Sequence, residues 1–140
     1  MATFDRSGDG TTVPQNVIPD FQITKIYDAS AYTALAIGDV VKLIDIPAKT
    51  TVWVVKWEIL SADTTASRTM NIGDGTTANQ YNPAAAVSVS AVASGCVLEG
   101  AAGATVSKYY AAGDTIQLTA VTAITNAKIK LTAYCARGDI

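Results

Sequence analysis

The 140-residue chain has no histidine, two cysteines and two glutamates, and charged residues make up only 16% of it. Without histidine it lacks both the commonest metal ligand and the one side chain that titrates near neutrality unperturbed. Nucleophilic catalysis needs Ser, Thr or Cys beside a base; with Glu58 and Glu99 the sole glutamates, the candidates are thin. Carboxylate pairs assembled in three dimensions are the remaining catalytic option. Ten basic against twelve acidic side chains give a net charge of −2. No positive field therefore attracts phosphate backbones, and sequence-independent nucleic-acid binding is not expected. No run approaches the ~20 apolar residues of a membrane span. The opening MATFDRSGDGTT carries acidic residues and no apolar core, unlike a secretory signal. Synthesis in a reducing cytoplasm is expected, with Cys96 and Cys135 as small buried hydrophobes and not a bridge. No enzyme activity, metal, cofactor, membrane or small-molecule substrate is expected.

What the chain does have is Ala, Thr, Val and Ile. Its apolar share of 49% rules out the low-hydrophobicity, high-charge balance of disorder. Its length fits one domain that folds without metal or disulfide. Charge falls below the usual figure of about 25%. That leaves a weakly polar exterior, most easily explained if partners cover part of it.

Residues 1–22 differ from the rest. They contain Pro14 and Pro19, which favour extended or turn backbone, and show no sustained periodicity. Val17, Ile18 and Phe21 give the segment something to bury, so an extended N-terminal arm is expected there, followed by the domain at 23–140. Beyond it, β-type runs alternate with turn signals. In residues 51–60 (TVWVVKWEIL), period two places Trp53, Val55, Trp57 and Ile59 on one face. Residues 39–46 (DVVKLIDI) form another such run. Residues 114–121 should set Ile116, Leu118 and Ala120 inward, and residues 127–136 Ile129, Leu131, Ala133 and Cys135. Weaker strands are read at 25–29, 68–73, 86–93, 97–99 and 106–110, with residues 84–86 ambiguous between helix and strand. Short strands divided by Gly, Asn and Asp turns indicate an all-β fold: an antiparallel β-sandwich of jelly-roll type.

Gly-Asp-Gly-Thr-Thr occurs at 8–12 and again at 73–77. Each copy has one Asp and no second carboxylate at calcium-loop spacing, so both read as turns. The residues 100–103 (GAAG) lack the Lys-Ser/Thr of a phosphate loop and read as a loop or bulge. Arg137-Gly138-Asp139 matches an adhesion tripeptide but reads as a chain terminus. Asp28, Asp39, Asp45, Asp63, Asp74 and Asp114 fall beside Gly or at strand ends, where turn capping accounts for them. The six tyrosines suit an interface, since Tyr offers large amphipathic contact at low entropic cost. Tyr109, Tyr110 and Tyr134, with Val17, Ile18 and Phe21, are the candidate interface residues.

The segment order resembles small tailed-bacteriophage structural proteins. The resemblance rests on IGDVVKLIDIPAKTT at 37–51, the Trp-bearing strand after it, and NIGDGTT at 71–77. It continues in KYYAAGDTIQL at 108–118 and AKIKLTAY at 127–134. Lys49 stands where such proteins often carry Gly, and the first 22 residues have no counterpart. The resemblance implies a virion component of the capsid decoration (cement) type: a β-sandwich, often a homotrimer, whose partners are the major capsid protein and itself. It places the protein on the capsid surface. The alternative is a β-sandwich recognition module of a fibre or tail that binds host glycan. Glycan binding calls for exposed aromatic platforms, against which stands the inward phase of both tryptophans.

Overall fold

A computed structural model describes residues 20–82, 85–96 and 106–137. They form nine strands: β1 (Asp20–Asp28), β2 (Val40–Ile46), β3 (Thr50–Ser61), β4 (Thr69–Gly73), β5 (Val87–Ser88), β6 (Ala93–Gly95), β7 (Lys108–Tyr110), β8 (Asp114–Ala120) and β9 (Lys128–Arg137). All pairings are antiparallel. One sheet runs β1-β9-β3-β6 with β7 also on β3, and the other runs β2-β8-β4-β5. The chain crosses between sheets from β1 to β2, β2 to β3, β3 to β4, β5 to β6, β7 to β8 and β8 to β9. The result is a two-sheet β-sandwich with a strand order compatible with a jelly roll. Among the described residues there is no α-helix. Ala85 and Ala86 are non-helical, while the remainder of the ambiguous segment and the strand expected at 97–99 lie outside the described residues.

The core lies between the sheets, where alternate residues of each strand meet. From β9, Ile129, Leu131, Ala133 and Cys135 are buried; from β8, Ile116, Leu118 and Ala120; from β2 and β4, Ile44, Ile46, Met70 and Ile72. Full burial of an Ile or Leu side chain contributes about 1.5–3 kcal/mol. β9 is central because it pairs along its length with β1 on one side and β3 on the other.

Strand β3 departs from strict alternation. Its register against β9 shifts between Val52, opposite Cys135, and Val54, opposite Tyr134. Trp53 is the extra residue of this bulge, so the inward set is Val52, then Val55, Trp57 and Ile59. Trp57 is 9% exposed but Trp53 is 51% exposed. The expectation that Trp53 shares the core face is therefore corrected: period two breaks where the bulge adds a residue. Trp57 packs over Gly95 of β6, its register partner; a Cβ there would stand 2.7 Å from the indole. β6 itself gave no strand signal in the sequence, and its Gly is needed for the indole. Cys96 is exposed, contrary to expectation, because it follows β6 at the sheet margin, whereas Cys135 is buried; both are free.

The link from β2 to β3 carries the chain between the two sheets. Lys49 adopts φ 58° there, in the left-handed region that explains a Gly preference at this place. Asp20, Phe21 and Gln22, expected at the end of the arm, are the first residues of β1. Residues 1–19 lie outside the described residues.

The two tryptophans should separate cleanly in urea unfolding. Trp57→Ala should cost roughly 3–5 kcal/mol, and Trp53→Ala less than about 1 kcal/mol because half of its indole is already in water. Equal losses would contradict the bulge.

Candidate interaction surface

Five of the six aspartates singled out in the sequence are committed to the fold. Asp28 accepts from the Ser30 and Ala31 backbone N–H groups, Asp39 from Ala36, and Asp114 from Gly75 and Thr115. Asp63 reaches further: its Oδ1 accepts from Thr65 N–H, and its Oδ2 from Thr125 at 2.6 Å and Asn126 at 3.0 Å. It thereby ties the loop after β3 to the loop before β9. Among the described residues no group of three His, Cys, Asp or Glu side chains is placed to hold a metal. The capping expected of these aspartates is what five of the six do; for Asp45 the side chain is exposed and no cap is formed.

Asp74 does more than cap. In the second Gly-Asp-Gly-Thr-Thr segment its N–H donates to Thr77 O, and its Oδ1 accepts from Thr76 and Thr77 N–H. Its Oδ2 accepts from Lys108 Nζ at 2.6 Å and from Tyr110 OH at 2.7 Å. Tyr110 spends its proton on the carboxylate, so the Tyr81 hydroxyl, 2.5 Å away, donates to Tyr110. Burial by itself would raise the Asp74 pKa; donation from Lys108, Tyr110, Thr77 and Thr76 outweighs it and leaves the carboxyl below its ordinary value. Burial likewise pushes both tyrosines above their ordinary range. This buried post joins the turn after β4, in one sheet, to β7, in the other. With Lys108 and Tyr110 held inward, alternation turns Tyr109 outward.

The outer face of the β1-β9-β3 sheet presents the exposed aromatics. Tyr134 lies opposite Gln22 on one side and Val54 on the other, and Tyr109 lies opposite Thr51. Trp53, Tyr134, Cys135, Asp20, Phe21 and Gln22 line a shallow groove of about 290 Å³. Toward the middle of the face Lys56 and Lys130 flank Glu58, the latter pair at 3.2 Å. Such exposed pairs add little stability.

Among the expected interface residues, Tyr109 is 52% exposed and Tyr134 is 37% exposed. Tyr110 and Phe21 are buried within the subunit: Tyr110 completes the Asp74 post instead of facing out with Tyr109, and Phe21, expected to give its segment something to bury, packs in the core. Val17 and Ile18 lie outside the described residues, as do the first Gly-Asp-Gly-Thr-Thr, the GAAG segment, Gly138 and Asp139. Sequence reading missed Trp53 as a surface residue. The alternation of residues 51–60 carries no signal of it, because the bulge exists only in the register against β9.

Two outcomes follow. Asp74→Asn should destabilise the protein by about 2–4 kcal/mol in denaturant, since an amide cannot satisfy both Lys108 and Tyr110; an unchanged midpoint would show the post to be dispensable. The second concerns pH. Asp63 and Asp74 are lowered in the fold, so their contribution is present above the ordinary carboxylate pKa and fades as pH falls through their own values. Tyr81 and Tyr110 are raised and burial pushes the Cys135 thiol up to about 12, so that contribution is lost only at alkaline pH. With no histidine in the chain, the thermal midpoint should stay level between about pH 5 and 9 and fall on either side; a step inside that window would contradict this.

No protein-family model matches the chain, and no curated protein does. Solved structures do. The chain is similar to one in the capsid of Ralstonia phage GP4, with TM-score 0.63 and 18% identity over 93% of this chain and 92% of that one. It is similar to one in the acidic stable capsid structure of Helicobacter pylori bacteriophage KHP30, with TM-score 0.61 and 14% identity over 86% of this chain and 89% of that one. A third similarity is to a chain of the cyanophage Pam1 capsid asymmetric unit, with TM-score 0.55 and 14% identity over 95% and 96%. At these identities the shared property is the fold: one β-sandwich spanning nearly the whole of each chain.

Proposed function

We propose that the protein is a non-enzymatic structural component of a bacteriophage head, a decoration (cement) protein that binds the assembled shell and stabilises it. The observation that carries this reading is the size of the matches. Chains found in three phage capsids are covered over 89%, 92% and 96% of their length by this one. A sandwich of about this size thus stands as a chain of its own in capsid assemblies. The low charge and the displayed Trp53, Tyr109 and Tyr134 fit a surface meant to be covered.

A cement protein stabilises by binding the assembled state in preference to free subunits. Many identical copies multiply weak contacts, and cyclic symmetry, here a homotrimer, lets one small subunit bridge several shell subunits. The partners are then the major capsid protein and the protein itself, on the capsid surface. On this reading an arm ahead of β1 makes contacts beyond its own sandwich, on the shell or an adjacent protomer. One route is strand addition: among the described strands β1 pairs with β9 alone and so stands at the end of its sheet.

A fibre or tail module that binds host glycan is the second reading. What favours it is Trp53, which stands exposed beside the polar side chains of Asp20 and Gln22, so the objection from inward-facing tryptophans holds only for Trp57.

Co-sedimentation with undecorated heads separates the two. The protein should pellet with heads in saturable, stoichiometric amounts and give no signal on a glycan array. Glycan binding without head binding would reverse the order.

A further inference from the structure

Among the described strands, β1, β2, β5 and β6 stand at the ends of the two sheets, and they are not equally open to a further strand. β5 has two residues and β6 three, and β2 carries a register shift between Lys42 and Ile44 that interrupts its edge. β1 differs: its register against β9 runs unbroken from Asp20 to Asp28. Across residues 22–27 alternate backbone N–H and C=O groups turn away from β9. The inward phase of this stretch reads Ile23, Lys25, Tyr27, so a cation interrupts an apolar row. Lys25 lies opposite Leu131 and is partly exposed. Among the described residues no carboxylate comes within ion-pair distance of it; the paired lysines are Lys56, Lys108 and Lys130. An inward-pointing charge on an edge strand discourages indiscriminate pairing, because an apolar partner would cover the ammonium without compensating it. It also discourages a second β1 centred on the same stretch, which would set two ammonium groups against each other. A carboxylate on the incoming strand removes both objections.

We propose that the edge of β1 at residues 22–27 accepts an extended segment of another protein, with an Asp or Glu opposite Lys25 and apolar residues two positions to either side of that acid. The inference rests on the strand-addition route given above and names the chemistry that the shell subunit brings to it. Backbone hydrogen bonds supply affinity without regard to sequence, and the pair with Lys25 supplies selection. Ile23 and Tyr27 flank the ammonium on the same face, so the apolar neighbours of the acid meet them across the new ladder. On the opposite face Thr24 Oγ1 is already bonded to Thr132 Oγ1 at 3.1 Å, while Ile26 is 46% exposed and gains cover.

The test uses the full chain and two blocked nonapeptides of alternating Val and Thr, in which the central Val is replaced by Glu in one and by Lys in the other. Titration followed by NMR should shift the β1 amides, with the Glu peptide binding about three- to ten-fold more tightly than the Lys peptide. Lys25→Glu should reverse that order with the circular dichroism of the sandwich unchanged. Equal affinities, shifts centred away from β1, or no binding of either peptide overturn the proposal. Should Lys25→Glu fail to fold, the comparison of the two peptides on the unmutated chain still decides. Hydrogen exchange is the second measurement: β1 should gain protected amides with the Glu peptide and again on undecorated heads. Heads that bind without new protection in β1 leave the cement reading standing and overturn this one. Discrimination between the peptides by a protein that ignores heads keeps the acidic-strand site and removes the cement reading.

Discussion

Of the two register shifts between β3 and β9, the one at Trp53 determines which side chains of β3 this sandwich buries and which it displays. Trp53 has no partner in the ladder with β9, and the strand resumes one residue later in the register that sends Val55, Trp57 and Ile59 inward. A regular strand would have to choose between burying Val52 and burying Val55, because the two are three residues apart. The bulge lets both reach the core at the cost of expelling the residue between the two halves. The expelled residue is the largest side chain available, and it lands beside Tyr134 on the outer face of the same sheet. Core packing and surface chemistry therefore have one origin.

The two sheets are held in place by buried carboxylates as well as by apolar contact. Asp63 gathers N–H groups from the loops at one end of the sandwich, and Asp74 gathers two backbone N–H groups, an ammonium and a phenol at the other. In a protein so poor in charge these are structural uses, and they leave few acids for anything else. The Asp74 post fixes β7 with Tyr110 inside, and so presents Tyr109 at the margin of the face that carries Trp53 and Tyr134.

Much of this was legible in the sequence because period-two alternation is a local signal. The inward sets of β8 and β9, the Asp-capped turn at 73–77 and the all-β class follow from spacing alone. Three features did not. The bulge at Trp53 is a mismatch between two strands, and one strand's pattern cannot reveal it. Tyr110 reads as half-exposed until Asp74, 36 positions earlier, is brought beneath it. β6 has only Ala, Ser and Gly, which carry no strand propensity; its Gly is explained by the Trp57 indole lying on it. Short-range chemistry was visible, and pairing across the fold was not.

The function proposed above requires that the displayed face of this sandwich meet other subunits of a phage head. Imaging of the intact particle at a resolution that traces β-strands tests it most directly. The account predicts density for the sandwich on the assembled shell, with the Trp53–Tyr134 corner in contact with neighbouring protein. Density at the tip of a fibre or tail, or a head-bound sandwich whose Trp53–Tyr134 corner faces open solvent, would contradict it.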